Sequence, residues 1–170
     1  MYYPYYGNTT MYNYSYQPVY WTYPNQLVGD NPLLIEENIL KDYGPSPFVA
    51  DIEKMTKQNN TFRTALWTGK HLQITLMCIN VGEDIGLEIH PDVDQFLCIE
   101  KGQGVVQMGP SKNNLNFQRN VREDFAIMVP AGTWHNVTNT GHEPLKLYSI
   151  YAPPNHPFGT IHVTKADARE

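Results

Sequence analysis

Residues 82–102 read GEDIGLEIHPDVDQFLCIEKG, and this stretch decides the fold. Residues 87–90 alternate apolar with polar, the period of a strand, so Glu88 and His90 share one face. Pro91-Asp92-Val93-Asp94 is turn chemistry, residues 95–100 form a returning strand-like run, and Lys101-Gly102 turns the chain again. A carboxylate and an imidazole side by side on the inner face of a β structure must be paired, neutralised or bound to metal. Gln95 begins the return strand and is placed to face the same interior.

The same pattern extends outward. Residues 62–67, 72–79, 104–108, 125–129, 134–138 and 145–151 are further strand-like runs, joined at Gly69, Gly82, Gly109-Pro110, Pro130-Ala131-Gly132 and Gly141. In 72–79, Leu72, Ile74, Leu76 and Cys78 alternate with Gln73, Thr75, Met77 and Ile79. Residues 110–120 are polar and read as a longer connection. Many short strands at close spacing predict an all-β sandwich or barrel, occupying residues 48–170. Before it, residues 27–47 predict a short helix and linker. Asn31 is the N-cap, Pro32 the first helical residue, Leu33, Leu34, Ile39 and Leu40 an apolar face, and Gly44, Pro45 and Pro47 the stop. Residues 1–26 hold nine of the twelve tyrosines with no charged residue, and read as a low-complexity tail suited to self-association.

A second stretch, PAGTWHNVTN at residues 130–139, delivers His135 at a strand start. Glu88, His90, Gln95 and His135 then offer one carboxylate, two imidazoles and one amide oxygen, a ligand set for a first-row divalent metal. The spacings carry a resemblance. Gly82, five residues, Glu88, one, His90, four, Gln95, six, Gly102 resembles the first cupin motif. Pro130, Gly132, His135 and Asn139 resemble the second. The chain is therefore similar to small single-domain bacterial-type cupins. That resemblance implies the double-stranded β-helix, or jelly-roll barrel, with one divalent transition ion at the four positions. It departs from the pattern where Glu88 replaces the first histidine and Gln95 the glutamate. The single negative charge is kept, but it has moved.

Composition narrows the function. Hydrophobic residues make 41% and charged residues 17%, with a net charge of −5. No basic track for nucleic acid and no membrane span is expected. The absence of a signal-like start predicts a cytoplasmic location, with a spore coat as the alternative. Cys78 and Cys98 read as reduced structural thiols. The resemblance implies a metalloenzyme acting on a small, oxygen-rich anion by dioxygenase, isomerase or lyase chemistry, the ion being iron, manganese, nickel or zinc. No catalytic residue is assigned. Arg63, Trp134 and Tyr148 are the substrate-pocket candidates; an inward tyrosine among Tyr148 and Tyr151 is a candidate proton donor. His156 and His162 read as a return segment on the barrel exterior, and His71 and His142 as solvated. The competing reading is a non-catalytic binding or structural module that assembles through residues 1–26. A homodimer built on the barrel is expected in either case.

Overall fold

The computed structural model describes residues 40–168. The tail at 1–26 and the helix expected after Asn31 lie outside the described residues. Within them, nine strands follow one helix: α1 (Ile52–Gln58), β1 (Arg63–Thr68), β2 (Gln73–Ile79), β3 (Asp94–Lys101), β4 (Gln103–Gly109), β5 (Phe117–Arg122), β6 (Ala126–Val129), β7 (Trp134–Asn139), β8 (Leu145–Ala152) and β9 (Ile161–His162), with a 3-10 turn at Lys165–Ala168. All pairings are antiparallel. One sheet has the order β6-β3-β8-β2-β1-β9, the other β5-β4-β7. The two sheets enclose the core, as the all-β reading requires.

The corner between the sheets is sharp. Only Gly102 separates β3 from β4, yet they belong to different sheets. Its φ is +89°, and an added Cβ would sit 3.2 Å from the Leu145 Cα, so conformation and space both call for glycine. Cross-strand register then builds inward rows across the large sheet: Ile79–Leu145, Met77–Leu147–Ile99, Thr75–Ser149–Leu97–Ile127 and Gln73–Tyr151–Gln95–Val129. The apolar members pack with Phe62, Val106, Val121 and Val137 into one buried cluster.

Four sequence expectations change. Residues 52–58 are helix, where the chain was expected to be β from residue 48. Asp51 caps it by accepting from the Lys54 N–H at 2.9 Å, and Glu53 pairs with Lys57 at 2.6 Å. Met55 packs it onto Leu66 and Leu76. The run 87–90 is not a strand. It touches β7 through a single bridge, Glu88 with His135, because Gly86 at φ +94° and Pro91 interrupt the extended backbone. The polar connection at 110–120 ends in β5, an edge strand exposed at five of its six positions and so without apolar alternation. Finally, the chain after β8 returns to add β9 to β1.

Candidate metal centre

Backbone hydrogen bonds bring the two motifs together. The Glu88 N–H donates to the His135 carbonyl at 3.0 Å, and the His135 N–H to the Glu88 carbonyl at 2.9 Å. Such a hydrogen-bonded antiparallel pair sets both side chains on one face. Gly132, at φ +74°, donates to the His90 carbonyl at 2.8 Å and locks the second motif's turn beside the first. Asn139 closes the far end, its Nδ2 donating to the Ile79 and Glu143 carbonyls. Gln95 enters from β3 as the cross-strand neighbour of Tyr151, whose ring meets His90 edge-on at 5.6 Å.

Glu88 Oε1 lies 3.4 Å from His90 Nε2 and 3.4 Å from His135 Nε2. One ligand atom from each of the three residues falls within 4.8 Å of the others. His135 is fully buried, and its Nδ1 lies 2.9 Å from the Thr133 carbonyl oxygen. A carbonyl only accepts, so hydrogen-bond logic assigns the proton to Nδ1 and leaves Nε2 with a lone pair facing the carboxylate. Glu88 Oε1, His90 Nε2, His135 Nε2 and Gln95 Oε1 are all buried without a hydrogen-bond partner. Each orphaned polar atom costs roughly 1–3 kcal/mol. A cation between Glu88, His90 and His135 satisfies those three atoms together, so the residues present fit a divalent ion. Burial alone would raise the Glu88 carboxyl. The imidazoles of His135 and His90 and the charge of Arg63 outweigh it and hold the group down at about 2. Glu88 is an anion at neutral pH.

A family model described as Cupin domain matches residues 75–151. The uncharacterized protein YrkC of Bacillus subtilis is 66% identical over 171 residues, covering 96% of this chain and 91% of its own. Protein L612 of Acanthamoeba polyphaga mimivirus is 39% identical over 119 residues, 69% of this chain and 72% of its own. The crystal structure of BH2720 from Bacillus halodurans superposes with a TM-score of 0.75 at 67% identity, covering 75% of this chain and 97% of that one. The chain is a cupin.

Of the three pocket candidates in this cupin, Arg63 alone reaches the lumen. It is 4% exposed, and its charge acts on both Glu88 and Tyr151. Trp134 directly precedes His135 in β7, and adjacent strand residues face opposite ways. Its ring lies outside, with Lys112 Nζ 5.1 Å from the centroid. Tyr148 is also on the outer face. It pairs in register with Cys98 and Leu76 and packs against the α1 cluster. Burial, and then Cys98, push its phenol up to about 12. The inward tyrosine is Tyr151, fully buried, its phenol raised by burial and its oxygen near Ser149 and Arg63 without a hydrogen bond of good geometry.

His156 is the residue that the sequence reading misplaced. The segment after β8 crosses the lumen end and not the exterior, and His156 meets the Tyr151 ring edge-on at 5.1 Å. Burial first, and then the charge of Arg63, push its imidazole down to about 3. Gln73 anchors this strap. Its Nε2 donates to the His156 carbonyl at 2.9 Å, and its Oε1 accepts from the N–H groups of Asn155 at 3.2 Å and His156 at 2.9 Å. A glutamine inside an otherwise apolar strand was the available signal; nothing in the sequence around His156 marks its partner. His162 lies in β9 beside Arg63, 6.5 Å from His156. His71 and His142 are exposed, and both cysteines are free. Glu88 also lines a cavity with Phe62, Asp84, Leu87 and Lys165, to which His90, Gln95, His135, Arg63 and Tyr151 do not contribute. Among the described residues no helix is long and apolar enough to cross a membrane.

Proposed function

We propose that this cupin holds one divalent transition ion between Glu88, His90 and His135, with Gln95 as a fourth donor, and acts on a small, oxygen-rich anion. The observation that carries the reading is the set of four buried acceptors without donors, two of them 3.4 Å from the same carboxylate oxygen. Two imidazoles with a carboxylate suit iron, manganese, nickel or zinc. When bound, such an ion supplies Lewis acidity and a template for adjacent oxygens. The chain's own groups do the rest. The Thr133 carbonyl fixes the His135 tautomer, Arg63 places a buried positive charge beside the site, and Tyr151 offers a hydroxyl proton.

Metal analysis tests this directly. Protein purified without tag or chelator is expected to carry close to one transition ion per chain, and the double variant His90→Ala, His135→Ala none. Full occupancy in the double variant overturns the site. An ion that exchanges no ligand with added small anions favours the non-catalytic module instead, because an enzyme needs an open position.

A further inference from the structure

Beside the metal donors stands a second group of polar side chains that an ion does not need. Arg63 is 4% exposed, and its Nε is buried without a hydrogen-bond partner. The ion pairs among the described residues belong to Lys57, His90, Lys101, His135 and Lys165, and none to Arg63. Its charge acts on Glu88 without forming an ion pair, and an ion held by Glu88 would take up that carboxylate, so the buried guanidinium is expected to meet a further anion. The Tyr151 hydroxyl, buried without a hydrogen bond of good geometry, lies close enough to Arg63 and Ser149 to interact with both, which puts a second donor beside the guanidinium. The strap held by Gln73 sets the His156 ring against Tyr151. A fully buried glutamine spends three hydrogen bonds on fixing that strap, which is more than a loose return segment requires.

We propose that Arg63, Tyr151 and His156 form an anion subsite beside Glu88, His90 and His135, and that it takes the carboxylate of a small hydroxy or keto acid. The second oxygen of such an acid faces the metal donors; that part rests on the metal reading, whereas the Arg63 subsite does not. A carboxylate is favoured over a phosphate by its two coplanar oxygens; charge does not choose between them, because Arg63 and a divalent ion together outweigh Glu88 by two positive charges. The guanidinium fork and the tyrosine hydroxyl also match the two oxygens of one carboxylate.

Calorimetric titration of the full chain tests the subsite, metal-free and manganese-loaded, with glycolate, acetate and inorganic phosphate as probes. Glycolate is expected to bind the loaded protein about tenfold or more tighter than acetate, which lacks the second oxygen. Arg63→Gln is expected to weaken glycolate by about tenfold or more, the scale of a lost charged hydrogen bond, with manganese content unchanged. Because a buried arginine can matter for folding, Tyr151→Phe is measured alongside. It keeps the ring and is expected to weaken glycolate by roughly three- to tenfold. Unchanged affinity in both variants, or no binding of any probe, overturns the subsite. Tighter binding of phosphate than of glycolate overturns the carboxylate assignment. Glycolate and acetate bound equally well with and without manganese, and weakened by Arg63→Gln, support the subsite while sinking the metal reading.

Discussion

The two ends of the barrel interior share one register and differ in chemistry. At one end the inward rows are Ile79–Leu145 and Met77–Leu147–Ile99, all apolar and at most 1% exposed. Two rows further along, the same strands present Gln73, Tyr151 and Gln95, and the 83–90 segment adds Glu88 and His90. The first end is an ordinary core, in which burial supplies the stability and no group is left wanting a partner. The second keeps buried polar atoms unpartnered, which lowers stability and creates binding potential. The difference teaches a division of labour along the barrel axis. A closed apolar end lets the fold tolerate an unsatisfied one.

The largest expected effect separates the two ends. Leu147→Ala, at a fully buried core position, is expected to cost about 2–5 kcal/mol of unfolding free energy while the folded protein keeps its metal stoichiometry. His90→Ala is expected to do the reverse, losing the ion with a smaller change in the metal-free protein. Urea unfolding of metal-free samples, with metal analysis of the folded ones, checks both. The division fails if His90→Ala destabilises the metal-free protein as much as Leu147→Ala does.

Next in size is the charge at the polar end. Glu88→Gln keeps the shape and removes the only carboxylate among the four donors. Changing groups that merely support metal ligands already costs about 10–100-fold in affinity, so more than about a hundredfold loss is expected here. Gln95→Glu is expected to hold metal at least as tightly. The double swap is expected to recover much of the loss. Competitive titration at one pH measures the series. Equal affinity in the wild type and Glu88→Gln removes Glu88 from the donor set.

The contrast between the ends also explains what could be read in advance. Motif spacing revealed the barrel and pointed to Glu88, His90, Gln95 and His135, of which the structure brings Glu88, His90 and His135 within ligand distance, because turn glycines and a strand's two-residue period leave a strong local record. β2 was harder. Both of its faces are buried, Gln73 and Thr75 inward and Ile74 and Leu76 against α1 and its neighbours, so alternation alone does not say which face is the lumen. α1 is seven residues long, too short to display a period. Alternation alone separates Trp134 and Tyr148 from the lumen: one is adjacent to His135, the other an odd three residues from Tyr151. The strap with His156 left no local trace, since Gln73 holds it from 83 residues away in the sequence.

A third prediction uses the acid response of the polar end. The His156 pKa falls from 6.5 in the unfolded chain to about 3 in the fold. Below 6.5 the unfolded chain therefore takes up a proton that the folded protein refuses, and stability drops as pH falls through that window toward 3. Glu88, lowered from 4.5 to about 2, adds a second loss that begins only below 4.5. Between pH 7.5 and 5.5 the His156 contribution is at most about 1.4 kcal/mol. His156→Asn is expected to lose less stability than the wild type over this interval, by urea unfolding of metal-free protein. Parallel losses in the two proteins mean that His156 is protonated in the fold, and that the strap does not seal it.

The smallest effect is the sharpest, because one chemical change is made on both faces of β8. Tyr148→Phe and Tyr151→Phe each delete a phenolic hydroxyl and leave the ring. On the outer face, the Tyr148 hydroxyl interacts with Cys98, so its loss is expected to lower stability by up to about 1 kcal/mol. In the lumen, the Tyr151 hydroxyl is buried without a hydrogen bond of good geometry. Deleting it removes a group that only Ser149 and Arg63 approach, at poor geometry, so the metal-free protein is expected to gain up to about 1 kcal/mol. The pair thus predicts opposite signs from the same substitution, three residues apart. Paired urea unfolding curves at pH 7.5 resolve them, provided that the slopes agree and the midpoints alone move. A loss of stability in Tyr151→Phe equal to that in Tyr148→Phe shows that the lumen hydroxyl is satisfied in the fold. The polar end would then be an ordinary core at that residue, and the contrast between the two ends would rest on the Glu88 donors alone.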